Sequence, residues 1–316
     1  MELIRGLHNI RPRHCPCVLT IGAFDGVHLG HQKVLQGLIS KAKELSLPST
    51  IIVLEPLPRE YFAPAEAPPR LMSFREKCLA LKEVGLDRVL RIRFTQSLSQ
   101  IPARDFIEDI FVGKLGVKYM VVGDDLRFGH ERQGDFTLLQ QLGEIHGFQV
   151  QASDTFQIDD ARVSSTRIRQ ALLDDEFELA EELLGRPYQI SGKVVYGQQL
   201  GRSIGVPTAN MELHRYRAAL SGVYAVEVRG IGDEVYFGAA NVGTRPTIGD
   251  LCKAILEVHL LNFSGSLYGK TLHIRFRKRL REEQKFPSID ALKTQIHNDI
   301  DQAYAFFGLQ RPTITQ

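Results

Sequence analysis

His28 and His31 are the residues of this chain whose types and spacing most directly suggest chemistry. They stand in His28-Leu29-Gly30-His31, immediately after Gly22-Ala23-Phe24-Asp25-Gly26-Val27. Two imidazoles three positions apart share a face if a helix begins near His28, and Gly30 between them leaves room for a ligand. A glycine-rich turn leading from a strand into a helix aims unpaired backbone N–H groups at an anion. The combination predicts a phosphate site, in which the imidazoles stabilise a transferring phosphoryl group by about 3 kcal/mol per well-placed donor. Either histidine alone reads as a helix cap or a surface residue; the pair after this turn favours the phosphate.

A second set of candidates lies further along. Between Gly192 and Asn210 the chain is dense in glycine and free of acidic residues, which suits a phosphate-cradling loop as well as a flexible hairpin loop. Thr208 and Asn210 are two apart, so in an extended segment their side-chain oxygens face the same way and could hold a magnesium ion with its waters and ATP. Glu257 and His259 likewise alternate onto one face of a strand-like run, where a carboxylate could act as a general base.

The elements that must position these residues follow from periodicity. Val18 to Ile21, Thr50 to Leu54, Arg88 to Ile92 and Tyr119 to Val122 read as strands separated by helical stretches, a pattern that predicts a Rossmann-like parallel sheet covered by helices. A helical pair, about Thr166 to Leu173 and Phe177 to Leu184, closes this half. Gly185-Arg186-Pro187 marks the proposed boundary, giving domains 1–185 and 186–316. Beyond it, Tyr188 to Tyr196, Val223 to Arg229, Val235 to Asn241, Ala254 to Leu261 and Leu272 to Phe276 predict a small antiparallel β-barrel. A C-terminal helix over Ile289 to Phe306 packs across it. Pro64 to Pro69 reads as an extended exposed loop.

Composition bounds the rest. A chain of 316 residues with 43% hydrophobic and 24% charged residues is globular and long enough for two cores. Lys plus Arg (39) nearly balances Asp plus Glu (37), so no global field draws it to nucleic acid or an anionic membrane. With no leader-like N-terminus and no long apolar run, a cytoplasmic protein is expected. Cys15, Cys17, Cys78 and Cys252 have neither zinc-site nor disulfide spacing and read as reduced thiols. Arg277, Lys278, Arg279 and Arg281 read as an ion-paired end of the barrel. The sequence specifies no oligomeric state.

The His-x-Gly-His turn resembles the signature of the nucleotidyltransferase superfamily, in which it binds ATP phosphates and pyrophosphate leaves. Its neighbours narrow the resemblance. Thr20 to His28, Glu55-Pro56-Leu57-Pro58, Gly123 to Gly129 and Ser164-Ser165-Thr166-Arg167-Ile168-Arg169 resemble the bacterial bifunctional riboflavin kinase/FAD synthetase family. Pro207-Thr208-Ala209-Asn210, Asn241 to Thr247 and Leu256 to Leu261 match its kinase segments, so the resemblance covers nearly the whole chain.

The resemblance implies phosphorylation of riboflavin to FMN in the C-terminal domain and adenylylation of FMN to FAD in the N-terminal one. ATP is the co-substrate and Mg2+ serves both steps. For adenylylation it implies His28, His31 and Arg169 as catalytic, with Gly22, Phe24, Asp25, Gly26, Gly30, Asp125, Ser165 and Thr166 on ATP. Ser165 or Thr166 can also cap the following helix, and Asp125 could meet either the nucleotide or its magnesium. Phe62 and Phe128 are candidates to stack on the flavin, or are core phenylalanines. For phosphorylation it implies Glu257 as base, Gly192, Gly205 and Pro207 on ATP, Thr208 and Asn210 on magnesium, and Asn241 on flavin. The chain departs from the commoner family forms at Leu54, Leu126, Asn262 and Ser266. Two competing readings are a nucleotidyltransferase acting on another phosphorylated alcohol, and a flavin-binding regulatory module.

Overall fold

The computed structural model describes the chain except residues 124, 198–204, 214, 216, 247–251 and 312–316. The chain packs as two compact units. One comprises Met1–Pro68 and Phe74–Ser164, the other Pro69–Ser73 and Ser165–Gln316. This packing boundary falls ahead of the helical pair, not at the Gly185-Arg186-Pro187 punctuation.

In the first unit six strands form a parallel sheet: β1 (Glu2–Arg5), β2 (Cys17–Ile21), β3 (Ser49–Glu55), β4 (Arg88–Arg93), β5 (Val117–Gly123) and β6 (Gln149–Ser153). Their order is β1-β4-β3-β2-β5-β6, parallel throughout. Helices α1 (Leu29–Glu44), α2 (Pro58–Phe62), α3 (Phe74–Val84), α4 (Gln96–Ser99), α5 (Ala103–Asp105, continuing as a π-helix over Phe106–Lys114) and α6 (Phe136–His146) join them. A short hairpin, β7 (Gln157–Ile158) and β8 (Ala161–Arg162), ends the unit.

Strand β2 is buried along its whole length, and its Cys17, Leu19 and Ile21 share a core with Ile52, Leu90, Met120 and Phe111. Burial pushes the Cys17 thiol up to about 12, so it is an inert packing group. Leu54 and Leu126 both pack against this core; an apolar side chain is what those two positions need. The end of β3 is fixed by a buried ion pair between Glu55 and Lys77, 3.3 Å apart, the lysine only 1% exposed. Removing one partner of such a pair would strand a buried charge.

The second unit opens with α7 (Ser165–Leu173) and α8 (Phe177–Leu184), followed by β9 (Gln189–Val195), β10 (Ala209–Glu212), β11 (Gly222–Ile231), β12 (Glu234–Pro246), β13 (Cys252–Leu260), β14 (Thr271–Arg281) and α9 (Ile289–Phe307). The strands close an antiparallel barrel in the order β10-β13-β12-β11-β14-β9, with β9 pairing back onto β10. Closure removes the sheet edges. Alternation along β13 places Ala254, Leu256, Val258 and Leu260 inside, while Ile255, Glu257 and His259 face outward. Helix α9 buries Ile300, Ala303 and Tyr304 against Val206, Ala239 and Leu261.

One local expectation changes and another holds. Pro64 to Pro69 is not an extended exposed loop: Glu66 and Ala67 both donate to the Ala63 carbonyl, and Ala67 is buried. Pairing of these amides within the segment curls it into a turn. The basic run of β14 is ion-paired as expected, with Arg277 on Glu227, Arg279 on Asp175 at 3.0 Å and Arg281 on Asp299 at 2.9 Å.

Candidate functional site

The strand order reverses at β2, which has β3 on one side and β5 on the other, so the crevice for a ligand lies beyond the carboxyl ends of β2 and β5. Gly22 follows β2 directly, and the turn that follows is held in an uncommon conformation. Phe24 (φ 47°), Gly26 (φ 89°) and Val27 (φ 40°) all lie in the left-handed region. For Phe24 and the β-branched Val27 this costs of order 1–3 kcal/mol each, strain that persists only where the surroundings enforce it. The surroundings do so by burial: Phe24, Asp25, Val27 and His28 are all buried.

The turn delivers His28 to the N-cap of α1, where its Nδ1 accepts the backbone N–H of His31 at 3.3 Å. The lone pair is therefore on Nδ1, and the ring proton is on Nε2 as a donor. The His28 and His31 rings stack 3.6 Å apart at 17°. The Phe24 ring lies 4.9 Å from that of His31, tilted at 42°. A side chain at Gly30 would press on His28 and on the Val163 carbonyl, each at 3.2 Å, which explains the glycine. The structure thus brings together Gly22, Phe24, Asp25, Gly26, His28, Gly30 and His31.

Other candidates of this half are placed differently. Asp125 follows β5 and pairs with Arg162 at 3.1 Å, both exposed, a contact of little stabilising worth. Phe62, at the end of α2, is 60% exposed and meets Tyr61 and Phe94 edge-on. Phe128 is 8% exposed, with its ring among Phe106 and Phe111 and Gly134 packed against it. Ser165, Thr166 and Arg169 lie on the first turns of α7, in the second unit. Since α7 begins at Ser165, the capping position is Ser164. Arg169 Nε donates to the Pro69 carbonyl at 2.6 Å.

On the barrel, Asn210 of β10 stands directly opposite Glu257 of β13, and Glu257 directly opposite Asn241 of β12. Side chains at such positions are close enough to interact, so three candidates form a row across three strands on the barrel's outer face. Asn210 Nδ2 lies 3.5 Å from Thr208 Oγ1 and 3.4 Å from the Thr208 carbonyl, so the two side chains meet as their spacing predicts. Gly197, absent from the candidates that sequence suggests, is part of this site: a Cβ there would land on the Asn210 carboxamide.

His259 Nδ1 donates to the Pro207 carbonyl at 2.9 Å, tying β13 to the segment before Thr208. Gly205 has a left-handed φ of 82°. Gly192, on β9, leaves room for Met211. Residues 198–204, the centre of the glycine-rich segment, lie outside the described residues. Asn262 also adopts a left-handed φ of 53°, which asparagine tolerates, and its Oδ1 accepts Tyr304 Oη at 2.7 Å. Asn262 therefore anchors α9 through a hydrogen bond. Ser266 is exposed, and nothing in the structure explains the departure there.

An FAD synthetase family model matches residues 10–167 and a riboflavin kinase family model residues 184–307. A bifunctional riboflavin kinase/FMN adenylyltransferase of Pseudomonas fluorescens is 50% identical over 305 residues, covering 96% of this chain and 97% of that one. The chain belongs to the bifunctional riboflavin kinase/FMN adenylyltransferase family. A second family member, from Escherichia coli K12, is 49% identical over 314 residues, covering 99% of this chain and all of its own. Among solved structures, a macrolide-efflux protein from Streptococcus pneumoniae aligns with a TM-score of 0.71 and 29% identity, over 95% of this chain and 97% of that one. No helix among the described residues of this family member is long and apolar enough to cross a membrane.

Proposed function

We propose that the family's two reactions are divided between residues 1–185, which adenylylate FMN, and residues 186–316, which phosphorylate riboflavin. The enzyme is a riboflavin kinase and FMN adenylyltransferase, making FMN and then FAD. The observation that carries the residue assignment is the row Asn210, Glu257, Asn241 across adjacent strands beside Thr208. It sets a carboxylate next to neutral oxygen donors, the combination phosphoryl transfer to a hydroxyl requires.

In the first reaction the terminal ribityl hydroxyl of riboflavin attacks the γ-phosphorus of ATP, its proton passes to Glu257, and ADP leaves. Asn241 orients the flavin, while Gly192, Gly205 and Pro207 line the nucleotide. Thr208 and Asn210 fit a magnesium ion: both offer hard neutral oxygens, Gly197 leaves the Asn210 carboxamide its place, and Mg2+ typically takes few protein ligands beside water and phosphate. When bound, the ion neutralises charge on the phosphate oxygens. ATP and water would supply the rest of its shell.

In the second reaction a phosphate oxygen of FMN attacks the α-phosphorus of another ATP, and pyrophosphate leaves. His28 Nε2–H and His31 stabilise charge on the phosphates, with the turn from Gly22 to Gly30 and Asp125 on the nucleotide. Ser165, Thr166 and Arg169 bind ATP phosphates in this step, and Phe62 and Phe128 flank the flavin. We further place the enzyme in the cytoplasm, with small-molecule substrates and neither nucleic acid nor membrane as partner.

The two sites make separable forecasts. Glu257→Gln should slow FMN formation by roughly a hundredfold or more while FAD formation from supplied FMN continues at the parental rate. Replacing His28 and His31 together by Ala should do the reverse. Chromatography of flavin products from each variant is the measurement. Loss of both activities from either variant in a folded protein would overturn the division.

A further inference from the structure

The segment Pro69–Ser73 belongs to the compact unit of the barrel, although its sequence neighbours on both sides belong to the other unit. Its backbone is held on three consecutive carbonyls. Arg169 Nε of α7 donates to the Pro69 carbonyl at 2.6 Å. One nitrogen of Arg215, from the segment between β10 and β11, donates to the Arg70 and Leu71 carbonyls at 3.2 Å each.

The Arg70 amide donates in turn to the Arg217 carbonyl at 3.3 Å, and Arg70 forms a parallel bridge with Ala218. Arg215 is only 5% exposed, and its Nε donates to the Leu213 carbonyl. Arg70, Leu71, Met72 and Ser73 are buried as well. A buried guanidinium has no water to replace these acceptors, and its planar fork fixes the geometry of the carbonyls it binds.

We propose that Arg215 is a positioning residue for adenylyl transfer: it fixes the Pro69–Leu71 strap, and the strap orients Arg169. The inference rests on the reading of Arg169 as a ligand of ATP phosphates. The bond from Arg169 Nε to Pro69 is one of the contacts that fix the plane of its guanidinium. If the strap shifts, that plane turns with it. Arg215 lies within the stretch matched by the riboflavin kinase model, so a residue of the kinase half would govern the alignment of a group used in the other reaction.

The test compares Arg169→Ala, Arg215→Met and the double variant in both reactions, each with the full chain. Arg215→Met should lower kcat/KM for FAD formation by about tenfold, the value of one lost charge-assisted hydrogen bond, chiefly by raising KM for ATP. Riboflavin phosphorylation by the same sample should stay within about twofold of the parent, and this internal control reports that the barrel is folded.

The double variant should be no slower in FAD formation than Arg169→Ala alone, because Arg215 has nothing to act through once Arg169 is gone. Arg215→Lys, which keeps the charge but loses the planar fork and the Nε donor to the Leu213 carbonyl, should give an intermediate loss. Multiplicative losses in the double variant would overturn the proposal. So would parental FAD formation in Arg215→Met beside an impaired Arg169→Ala, or equal loss of both activities in Arg215→Met and Arg215→Lys. Parental FAD formation in Arg169→Ala would instead remove the ATP-phosphate reading of Arg169, and the inference with it.

Discussion

A ring nitrogen serves one partner at a time, and in His28 the two nitrogens are divided: Nδ1 caps α1 and Nε2 keeps the proton. Spacing alone exposed this site because the two stacked imidazoles, His28 and His31, sit three residues apart in one stretch of chain. Gly197 shows the opposite case. Its importance comes from Asn210, on the neighbouring strand, and no local pattern records that contact. Gly197→Ala should displace the Asn210 carboxamide and lower kcat/KM for riboflavin phosphorylation by roughly ten- to a hundredfold, with FAD formation from FMN as the unaffected control.

His259 makes a different prediction. Burial, with His297 and Arg311 nearby, holds its pKa below the ordinary 6.5 despite its bond to Pro207. In the unfolded chain it protonates as pH falls through 6.5, while the folded form resists, so the stability tied to the neutral ring is present above that pH and shrinks as pH falls below it. Melting curves between about pH 7.5 and 5.5 should show a smaller drop for His259→Gln than for the parent.

At the scale of elements, β2, β3 and β5 were legible because they bury apolar runs, and β13 because buried apolar residues alternate along it. The short and the polar strands were not. Strand β6 reads Gln149-Val150-Gln151-Ala152-Ser153 and is half-exposed to exposed along its length, so pairing with β5 rather than composition makes it a strand. Strand β1 has four residues and β10 four, too short for periodicity to register. Register itself is invisible in sequence: that Glu257 faces Asn210 and Asn241 follows from how β10, β13 and β12 align.

The role of α8 was equally hidden. Its Phe177 meets Tyr224 edge-on, its Glu181 pairs with Arg275 at 2.8 Å, and Leu183 and Leu184 are buried. Just ahead of it, Arg279 of β14 holds the Leu173 carbonyl and Asp175.

At the scale of the whole molecule, the end of one activity and the end of one packing unit need not coincide. The glycine-proline punctuation at residues 185–187 is a turn signal and says nothing about which side the preceding helices pack on. A chain beginning at Arg186 lacks α7 and α8, whereas one beginning at Ser165 keeps them against the barrel. Three buried side chains, Phe177, Leu183 and Leu184, are worth about 1.5–3 kcal/mol each. The shorter chain should therefore melt at least roughly 10 °C below the longer one, each kcal/mol amounting to about 2–4 °C in a domain of roughly 150 residues. Equal melting temperatures by calorimetry would show that the helical pair contributes nothing to the barrel's stability.

The strap at Pro69–Ser73 orders events in time. Synthesis runs from the N-terminus, and domains generally fold as they emerge. The carbonyls of Pro69, Arg70 and Leu71 leave the ribosome long before Arg169, and earlier still relative to Arg215 and Arg217, the residues that hold them. The first half of the chain can build its sheet early, but its strap finds these partners only after the segment beyond β10 has been made. If Arg215 positions Arg169 as proposed, the last roughly tenfold of FAD-forming activity is gained only once the barrel that supplies FMN has been made.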